Sequence, residues 1–361
     1  MNLNGYDVSD AIRLPAKTDY GIAIVGCGGI VNYGHLPAYR TQGFRVLACY
    51  DRDRAAAEKT AAAFGIPRVA DSLDEILAND EIEIVDIAIT PWAQRDVAVR
   101  VAKAGKHLLC QKPLADDYAR AVEIVELAEQ AGVKLAVNQQ MRWSAGIAVA
   151  KQLVDQGAIG TPADVRVETS VRTPWHMWPW IGQSERIDIL FHSIHDQDSL
   201  RHLFGDPVSV FSQHAKFPNQ PETGETRTIT LFQYERPLTT LIDVQHHNWS
   251  DDQSSIFRFL GDQGLIRGTK GALYNYPHGR VDTLAYQANS DPKVWHEAKL
   301  TTAWTPDAFA GPMASLMEAI QTGGEPITSG RDNLKTLQTV FASYRSAAEH
   351  RVVTLAEIAG G

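Results

Sequence analysis

The chain has 361 residues, of which 44% are hydrophobic and 21% charged, and this composition is typical of a globular protein with two domains. Its formal net charge of −9 argues against nucleic acid as a partner, because nucleic-acid binding requires clustered cations. The sequence has no apolar run of the roughly 18 residues that a membrane span needs and does not open with a secretory signal pattern, so we expect a cytoplasmic protein that binds a small molecule.

Short apolar runs alternate with helical patterns from Tyr20 to about Val137. The runs are GIAIVG, RVLACYD, IEIVDIAIT, HLLCQ and KLAVN, and the patterns between them include RAAAEKTAAAFG, AQRDVAVRVAKAG and YARAVEIVELAEQAG. Strands that are apolar throughout are typical of a parallel sheet covered by helices on both faces. We therefore predict an α/β protein whose residues 1–141 form an N-terminal tail and a doubly wound Rossmann domain.

A glycine-rich turn follows the first predicted strand. Its residues are Gly26, Cys27, Gly28, Gly29, Ile30 and Val31. The turn resembles a dinucleotide fingerprint, in which Gly26 permits the tight turn and Gly28 lets the backbone approach a pyrophosphate. The third glycine position of that fingerprint holds Val31. The alternative interpretation is a glycine-rich turn that binds nothing.

The second predicted strand ends in an acidic residue followed by two arginines. Asp51 stands where an acid would hold the ribose hydroxyls of a dinucleotide, which favours NAD as the cofactor. Arg52 and Arg54 come directly afterwards and could pair with a 2′-phosphate, so NADP stays open. Their alternative role is a solvated helix start.

A lysine ends the strand HLLCQ. Lys112 lies there at the carboxyl end, where open parallel sheets bind their ligands, so we expect it to point towards a cofactor. A surface lysine held by a rigid turn is the alternative.

The second half of the chain has a different pattern. Alternating segments such as ADVRVETSVR, TRTITLFQYE and LTTLIDVQHH predict a second α/β domain, residues 142–361, built on an open, mainly antiparallel sheet. The tail from about Asp307 has a helical pattern.

Three tryptophans precede a histidine-rich segment: Trp175, Trp178 and Trp180. Flat aromatic rings can cover the C–H face of a sugar, whereas the alternatives are a loop pinned by its aromatics or an oligomer contact.

Several of these features together resemble the Gfo/Idh/MocA family of oxidoreductases. They are the glycine-rich turn, Asp51, the Thr90-Pro91 turn, AGKHLLCQKPLA and the later histidine-rich segment, and they span most of the chain after residue 20. The resemblance implies an NAD(P)-dependent dehydrogenase of a sugar, cyclitol or related polyol, working as a homodimer or homotetramer. It also implies that the active site lies in a cleft between the domains.

The resemblance implies roles for individual residues. Family members usually have Glu-Lys-Pro where this chain has Gln111-Lys112-Pro113, and their lysine contacts nicotinamide and the substrate hydroxyl, so Lys112 inherits that role by position. The residues expected to bind the cofactor are Gly26, Gly28, Gly29, Ile30, Asp51, Arg52, Thr90, Pro91 and Lys112. Loss of the glutamate leaves the protonation state of Lys112 open.

The segment ERIDILFHSIHDQDSLRHLFGDP resembles the histidine helix of the family, and His195 matches its catalytic histidine. An imidazole can take the hydroxyl proton as hydride leaves the same carbon. Many relatives have aspartate four residues earlier, where this chain has Phe191, and either His192 or Asp196 could compensate.

We predict that six further residues bind the substrate, and we predict no metal site. The residues expected to bind substrate are Arg142, Trp175, Trp178, Trp180, His192 and Asp196. Arg142 could instead pair with an acid inside the fold. A metal bound by His192, His195 and Asp196 is a less favoured alternative, as are buried histidines without chemistry.

Two other functions fit the same resemblance. Some relatives use bound NAD to oxidise a glycoside transiently, eliminate the aglycone and return the hydride. A few others are non-catalytic nucleotide-binding sensors, but the presence of both Lys112 and His195 argues against that function. The sequence does not encode which hydroxyl reacts or the direction of the reaction.

Overall fold

The structure is a computed structural model that describes residues 1–274, 276 and 279–360. The chain forms two compact units. One contains Ile12–Gln140 and Thr305–Leu334, and the other contains Met1–Ala11, Met141–Trp304 and the chain from Lys335 onwards. The predicted division at residue 141 differs from these units at both ends. It placed the first eleven residues in the Rossmann domain and residues 305–334 outside it.

The N-terminal segment forms a small hairpin. Strands β1 (Asn2–Leu3) and β2 (Tyr6–Asp7) pair antiparallel through a two-residue turn. Asn4 and Gly5 both have positive φ angles, 53° and 92°, as hairpin turns of this kind require. This hairpin is part of the second unit, so the tail is an element of that fold.

The first unit is built on a parallel sheet, as predicted, and the sheet has six strands, one more than the five apolar runs. Its elements are β3 (Ile22–Val25), α1 (Leu36–Gln42), β4 (Val46–Tyr50), α2 (Arg54–Phe64), β5 (Arg68–Val69), α3 (Leu73–Leu77), β6 (Ile84–Ile87), α4 (Pro91–Lys103), β7 (His107–Gln111), α5 (Tyr118–Gln130) and β8 (Leu135–Asn138). The strand order is β5-β4-β3-β6-β7-β8, and every pair is parallel. The order reverses between β3 and β6, which is the point where such sheets bind ligands.

The core of this unit explains why its strands are apolar throughout. All four residues of β3 and of β6 are buried, as expected for strands covered on both faces. The later segment contributes to the same core, because Phe309, Met313 and Met317 pack with Tyr39. The helix in this segment is α10 (Ala310–Thr322), and a helical pattern alone does not reveal which sheet a helix covers.

The second unit contains a nine-stranded sheet. The elements from residue 145 onwards are α6 (Ala145–Asp155), β9 (Pro162–Ser170), α7 (Pro179–Gly182), α8 (Asp188–Phe191), α9 (Ser193–Phe204), β10 (Ser209–Ala215), β11 (Arg227–Gln233), β12 (Thr239–Gln245), β13 (Ser254–Gly261), β14 (Gly264–Thr269), β15 (Leu284–Ala288), β16 (His296–Glu297), α10 (Ala310–Thr322), α11 (Gly330–Glu349), β17 (Val353–Thr354) and α12 (Ala356–Ala359), of which α10 belongs to the first unit. The strand order is β16-β15-β14-β13-β9-β12-β11-β10-β17.

The sheet of the second unit is mainly antiparallel, which confirms the predicted class. Among the described strands of this sheet, the β9–β12 pair is parallel and the other pairs are antiparallel. Burial alternates along β9, where Val165 and Val167 are buried while Arg166 and Glu168 are exposed. In the part of the chain that the structure describes, no helix has both the length and the apolar character required to cross a membrane.

The histidine-rich segment is not one continuous helix. It is interrupted at His192, which lies between α8 and α9 with φ −121° and ψ −63°. The Ser193 hydroxyl at the start of α9 donates back to Asp188 at 2.6 Å, which ties the two short helices together. No glycine or proline stands at the interruption, so the sequence does not predict it.

Candidate active site

The glycine-rich turn lies at the carboxyl end of β3. Gly26 has φ +99°, and a Cβ there would lie 2.4 Å from the carbonyl oxygen of Ala88, so only glycine fits. A Cβ at Gly28 would meet no atom within 4 Å, which leaves open space above the backbone for a phosphate group. A helical stretch begins at Gly29 and Ile30, with a π-helical segment at Val31–His35 before α1. Its N-terminal amides are suited to an anion.

Asp51 lies beside this turn. Its carboxylate accepts hydrogen bonds from the backbone N–H groups of Cys27 at 2.7 Å and of Asp53 at 2.9 Å. Arg54 is exposed and pairs with the carboxylates of Glu58 and Asp71. Arg52 is exposed as well. Asp51 is therefore fixed at the glycine-rich turn. Arg54, which could pair with a 2′-phosphate, is already paired with two carboxylates.

Lys112 follows β7 at the same edge of the sheet as the turn after β6, where Thr90 precedes Pro91, the first residue of α4. The side-chain oxygen of Gln111 accepts a hydrogen bond from the Lys112 N–H at 2.7 Å. The Lys112–Pro113 peptide bond is cis. Burial lowers the pKa of Lys112 to about 7, so both protonation states are accessible near neutral pH.

A buried glutamine on α4 fixes the turn that carries Lys112. The amide nitrogen of Gln94 donates to the carbonyl oxygens of Gln111, Pro113 and Leu114 at 2.9, 2.9 and 3.0 Å. The side chain is fully buried, so these contacts replace water as the partner of three turn carbonyls. Lys112 is thereby held on a rigid support.

A second buried network explains the glutamine at position 111. Asp86 accepts hydrogen bonds from Nδ1 of His35 and from the Tyr39 hydroxyl, both at 2.7 Å. Nε2 of His35 lies 2.9 Å from the side-chain nitrogen of Asn138 and 3.3 Å from that of Gln111. With the Nδ1 proton donated to Asp86, Nε2 is an acceptor, and an amide can donate to it where a carboxylate could not.

The second unit contains a pocket that is partly open to solvent. The residues that line it are Thr169, Asp188, His192, Ser193, His195, Asp196, Val244, His246, Lys270, Leu273 and Trp304. Three predicted site residues, His192, His195 and Asp196, are therefore brought together. The His195 ring packs edge-on against Trp304, with ring centroids 5.4 Å apart.

Asp196 is held by a lysine that the sequence did not suggest. Its two carboxylate oxygens lie 2.8 and 2.9 Å from Nζ of Lys270, which also donates to the Thr169 hydroxyl at 2.8 Å. Burial raises the pKa of Asp196, and the charge of Lys270 opposes that rise. Because β14 ends at Thr269, far along the chain, no local motif connects Lys270 with the histidine segment.

Asp188 and His246 form a second buried pair in the same pocket. Oδ1 of Asp188 lies 2.7 Å from Nε2 of His246, whose Nδ1 lies 2.7 Å from the Thr173 hydroxyl. Burial alone would raise the pKa of Asp188, but His246 and two hydroxyl donors bring the pKa below its usual value. Asp188 is not among the residues predicted from the sequence; it stands four residues before His192, whereas four residues before His195 the chain has Phe191.

The three tryptophans occupy different environments. Trp175 is buried and packs edge-on against His192 and His246, at centroid distances of 5.1 and 5.2 Å. Trp178 lies 6.3 Å from His192 and 5.1 Å from Tyr276. Trp180 is exposed and packs against Phe191. None of the three is among the described residues that line the pocket, so the loop contacts the pocket through the histidine rings.

Arg142 has a structural partner. Its guanidinium binds the Asp198 carboxylate through two hydrogen bonds of 2.6 and 2.7 Å, and both side chains are buried. Arg142 is not among the described residues that line the pocket. Its pairing with Asp198 is the structural alternative to substrate binding. The two histidines after β12 have different environments. His246 lines the pocket, whereas His247 pairs with Glu222 at 3.2 Å.

Comparison with known proteins identifies the family. The model of the Gfo/Idh/MocA oxidoreductase family for an NAD-binding Rossmann fold matches residues 20–139, and its C-terminal α/β domain model matches residues 151–355. D-apiose dehydrogenase from Paraburkholderia graminis is 32% identical over 349 residues, covering 92% of this chain and 89% of that protein. Inositol 2-dehydrogenase from Rhizobium meliloti is 28% identical over 320 residues, covering 86% and 92%.

Solved structures of oxidoreductases have the same fold as this chain. An oxidoreductase from Agrobacterium radiobacter in complex with NAD⁺, L-tartaric acid and magnesium is 25% identical, with a TM-score of 0.84 over 94% of this chain and 100% of the other. A levoglucosan dehydrogenase in complex with NADH and levoglucosan shares the fold at 18% identity, with a TM-score of 0.79 over 93% and 99%. The chain therefore belongs to the Gfo/Idh/MocA family of oxidoreductases and combines its NAD-binding Rossmann domain with its C-terminal α/β domain.

Proposed function

We propose that the protein is an NAD-dependent dehydrogenase that oxidises a hydroxyl group of a sugar, cyclitol or related polyol. The observation that carries this proposal is the pocket in which the imidazole of His195 lies among charged and polar side chains. Relatives across most of the chain are named for the oxidation of D-apiose and of inositol.

The reaction needs a group that removes a proton. As the alcohol carbon gives its hydride to nicotinamide, the hydroxyl loses its proton and becomes a carbonyl. We assign the proton to His195, because an imidazole in a pocket can accept it at neutral pH. Lys112, at the cofactor edge of the Rossmann sheet, is assigned to the developing negative charge on the oxygen.

The chemistry of the pocket fits a substrate rich in hydroxyl groups. The Lys270–Asp196 pair offers a cation and an anion with fixed positions. A substrate hydroxyl group can donate to the Asp196 carboxylate and accept from the Lys270 ammonium. Trp304 and Leu273 add an apolar surface on the same lining. This mixture is typical of sites that bind small polar molecules.

The decisive experiment is a screen for net nicotinamide reduction. Purified protein with NAD or NADP would be tested against aldoses, sugar acids and inositols while NADH absorbance is followed. Net reduction with one class supports the proposal. Release of an aglycone from a glycoside without net NADH would indicate the glycoside-cleaving reaction, and nucleotide binding without turnover would indicate a sensor.

Cofactor preference provides a prediction. Because Asp51 is anchored at the fingerprint turn, its charge should repel a 2′-phosphate, and we expect tighter binding of NAD than of NADP. Asp51→Ala should weaken that preference, measured by titrating both nucleotides into each protein. The exposed Asp80→Ala is a matched control and should leave the ratio unchanged. Tighter NADP binding by the unmodified protein would transfer the decisive role to Arg52 or Arg54.

We also propose a homodimer or homotetramer in the cytoplasm. The exposed side of the nine-stranded sheet, which includes Arg166, Glu168 and Ile256, offers a broad surface for a second copy. The three cysteines, Cys27, Cys49 and Cys110, are buried free thiols, which suits a reducing compartment. Light scattering of the purified protein measures the oligomer size directly.

A further inference from the structure

Three side chains of metal-ligand type converge in the pocket of the second unit. Asp188 lies on α8, His192 lies between α8 and α9, and His246 follows β12. One carboxylate oxygen and two ring nitrogens lie within 4.8 Å of one another. Asp188 and His246 are buried, and His192 is half-buried. The cluster comes from three separate segments, so the fold and not a local motif assembles it.

We propose that Asp188, His192 and His246 bind a divalent d-block cation of the zinc type. Two neutral imidazoles and one carboxylate form a common set of three protein ligands around such ions. Calcium and magnesium prefer oxygen ligands, so the two nitrogens select against them.

Hydrogen bonds around the cluster orient the ligand atoms. Oδ2 of Asp188 accepts from the hydroxyls of Ser193 and Thr228, which leaves Oδ1 directed at His246. Nδ1 of His246 lies 2.7 Å from the Thr173 hydroxyl, which directs Nε2 towards Asp188. Outer hydrogen bonds of this kind hold the ligands of metal sites in place.

The charge of Asp188 supports a cation at this point. The carboxylate has no solvent exposure, and among the described residues no lysine or arginine lies within ion-pair distance of it. The nearby Lys270 is bound by Asp196 instead. A buried carboxylate is stabilised most effectively by a positive charge, which a metal ion would supply.

The metal-free geometry is a simple hydrogen bond. Because an ionised carboxylate only accepts, a neutral His246 ring carries its proton on Nε2 towards Asp188, and Nδ1 then accepts from the Thr173 hydroxyl. On metal binding the imidazole takes the other neutral tautomer, with Nδ1–H donating to Thr173 and Nε2 bound to the ion. Metal–ligand bonds of about 2.0 to 2.2 Å separate neighbouring ligand atoms by roughly 3.3 Å, so the 2.7 Å contact must widen by a fraction of an ångström.

The ion would have an open coordination position. Three protein ligands leave a fourth position, and the same pocket contains His195 and Trp304. An oxygen of a bound polyol could occupy it. This last step rests on the proposed function, whereas metal binding itself does not.

The test is a metal titration of the whole protein without nucleotide or substrate. After treatment with a chelator, Zn²⁺ and Co²⁺ are titrated by calorimetry, and the Co²⁺ absorption spectrum reports the coordination number. We expect one saturable ion per chain and a visible Co²⁺ band. His192→Asn and His246→Asn should each weaken binding by about a hundredfold or more, and Thr173→Val by about tenfold.

The matched control is His214→Asn, an exposed histidine on β10, which should bind the ion as the unmodified protein does. Circular dichroism reports whether each variant is folded, and His192 is the less buried of the two substituted histidines. Absence of saturable binding by the unmodified protein, or binding by both ligand variants as tight as that of the unmodified protein, overturns the proposal. Neither outcome bears on the dehydrogenase activity, which is measured separately.

Discussion

Replacing His195 by asparagine should lower kcat by about a hundredfold or more while nucleotide binding and folding are retained. The side chain is buried in the pocket, and its ring is positioned by the edge-on contact with Trp304. Asparagine keeps a polar group of similar reach but cannot accept a proton at neutral pH. The loss should therefore fall on the chemical step, and kcat and nucleotide affinity would be measured on the same preparation.

The matched control is His350→Asn, the same substitution at an exposed position after α11. Asparagine tolerates the positive φ angle of 55° found there. The control should keep both kcat and stability. Near-normal turnover of His195→Asn would contradict the assignment and move the proton acceptor to His192 or to Lys112.

The Rossmann unit could be predicted from the sequence because its signals are local. Strands buried on both faces are apolar throughout, and the helices between them end at glycines such as Gly65, which has the expected positive φ angle of 69°. The glycine-rich turn and Asp51 also act within one βαβ unit, so their neighbourhood follows from chain order.

The rest of the pocket could not be predicted in this way. Lys270 reaches Asp196 from a strand end more than seventy residues along the chain, and Trp304 reaches His195 from farther still. Such contacts depend on the strand order of the sheet, which alternation along single strands does not encode. Asp188 stands four residues before His192, but the spacing expected from His195 falls on Phe191, so the family pattern does not predict it.

Replacing Lys112 by methionine should also lower kcat by about a hundredfold or more. Methionine keeps the length of the apolar stem but removes the charge that we propose stabilises the developing alkoxide. The turn should stay intact, because Gln94 and Gln111 hold it through backbone groups that the substitution does not change. Lys103→Met, on the exposed face of α4, is the matched control and should behave as the unmodified protein.

The pH dependence distinguishes the two roles open to Lys112. Burial lowers its pKa to about 7, so the side chain is cationic below that pH and neutral above it. If the cation is required, kcat falls as pH rises through about 7, and Lys112→Arg, which stays charged, loses that decline. A neutral lysine acting as the base would give the opposite slope and an inactive arginine variant.

The double variant tests whether Lys112 and His195 serve one reaction. Two independent losses of about a hundredfold would multiply to about ten-thousandfold. Groups that act on the same transition state are not additive, so the double variant should retain far more activity than that product. Under the proposed assignments, His195 takes the hydroxyl proton and Lys112 stabilises the charge left behind, so removing either group should remove most of the benefit of the other. Full multiplication of the losses, measured as kcat at saturating NAD, would contradict the assignment of both groups to one reaction step.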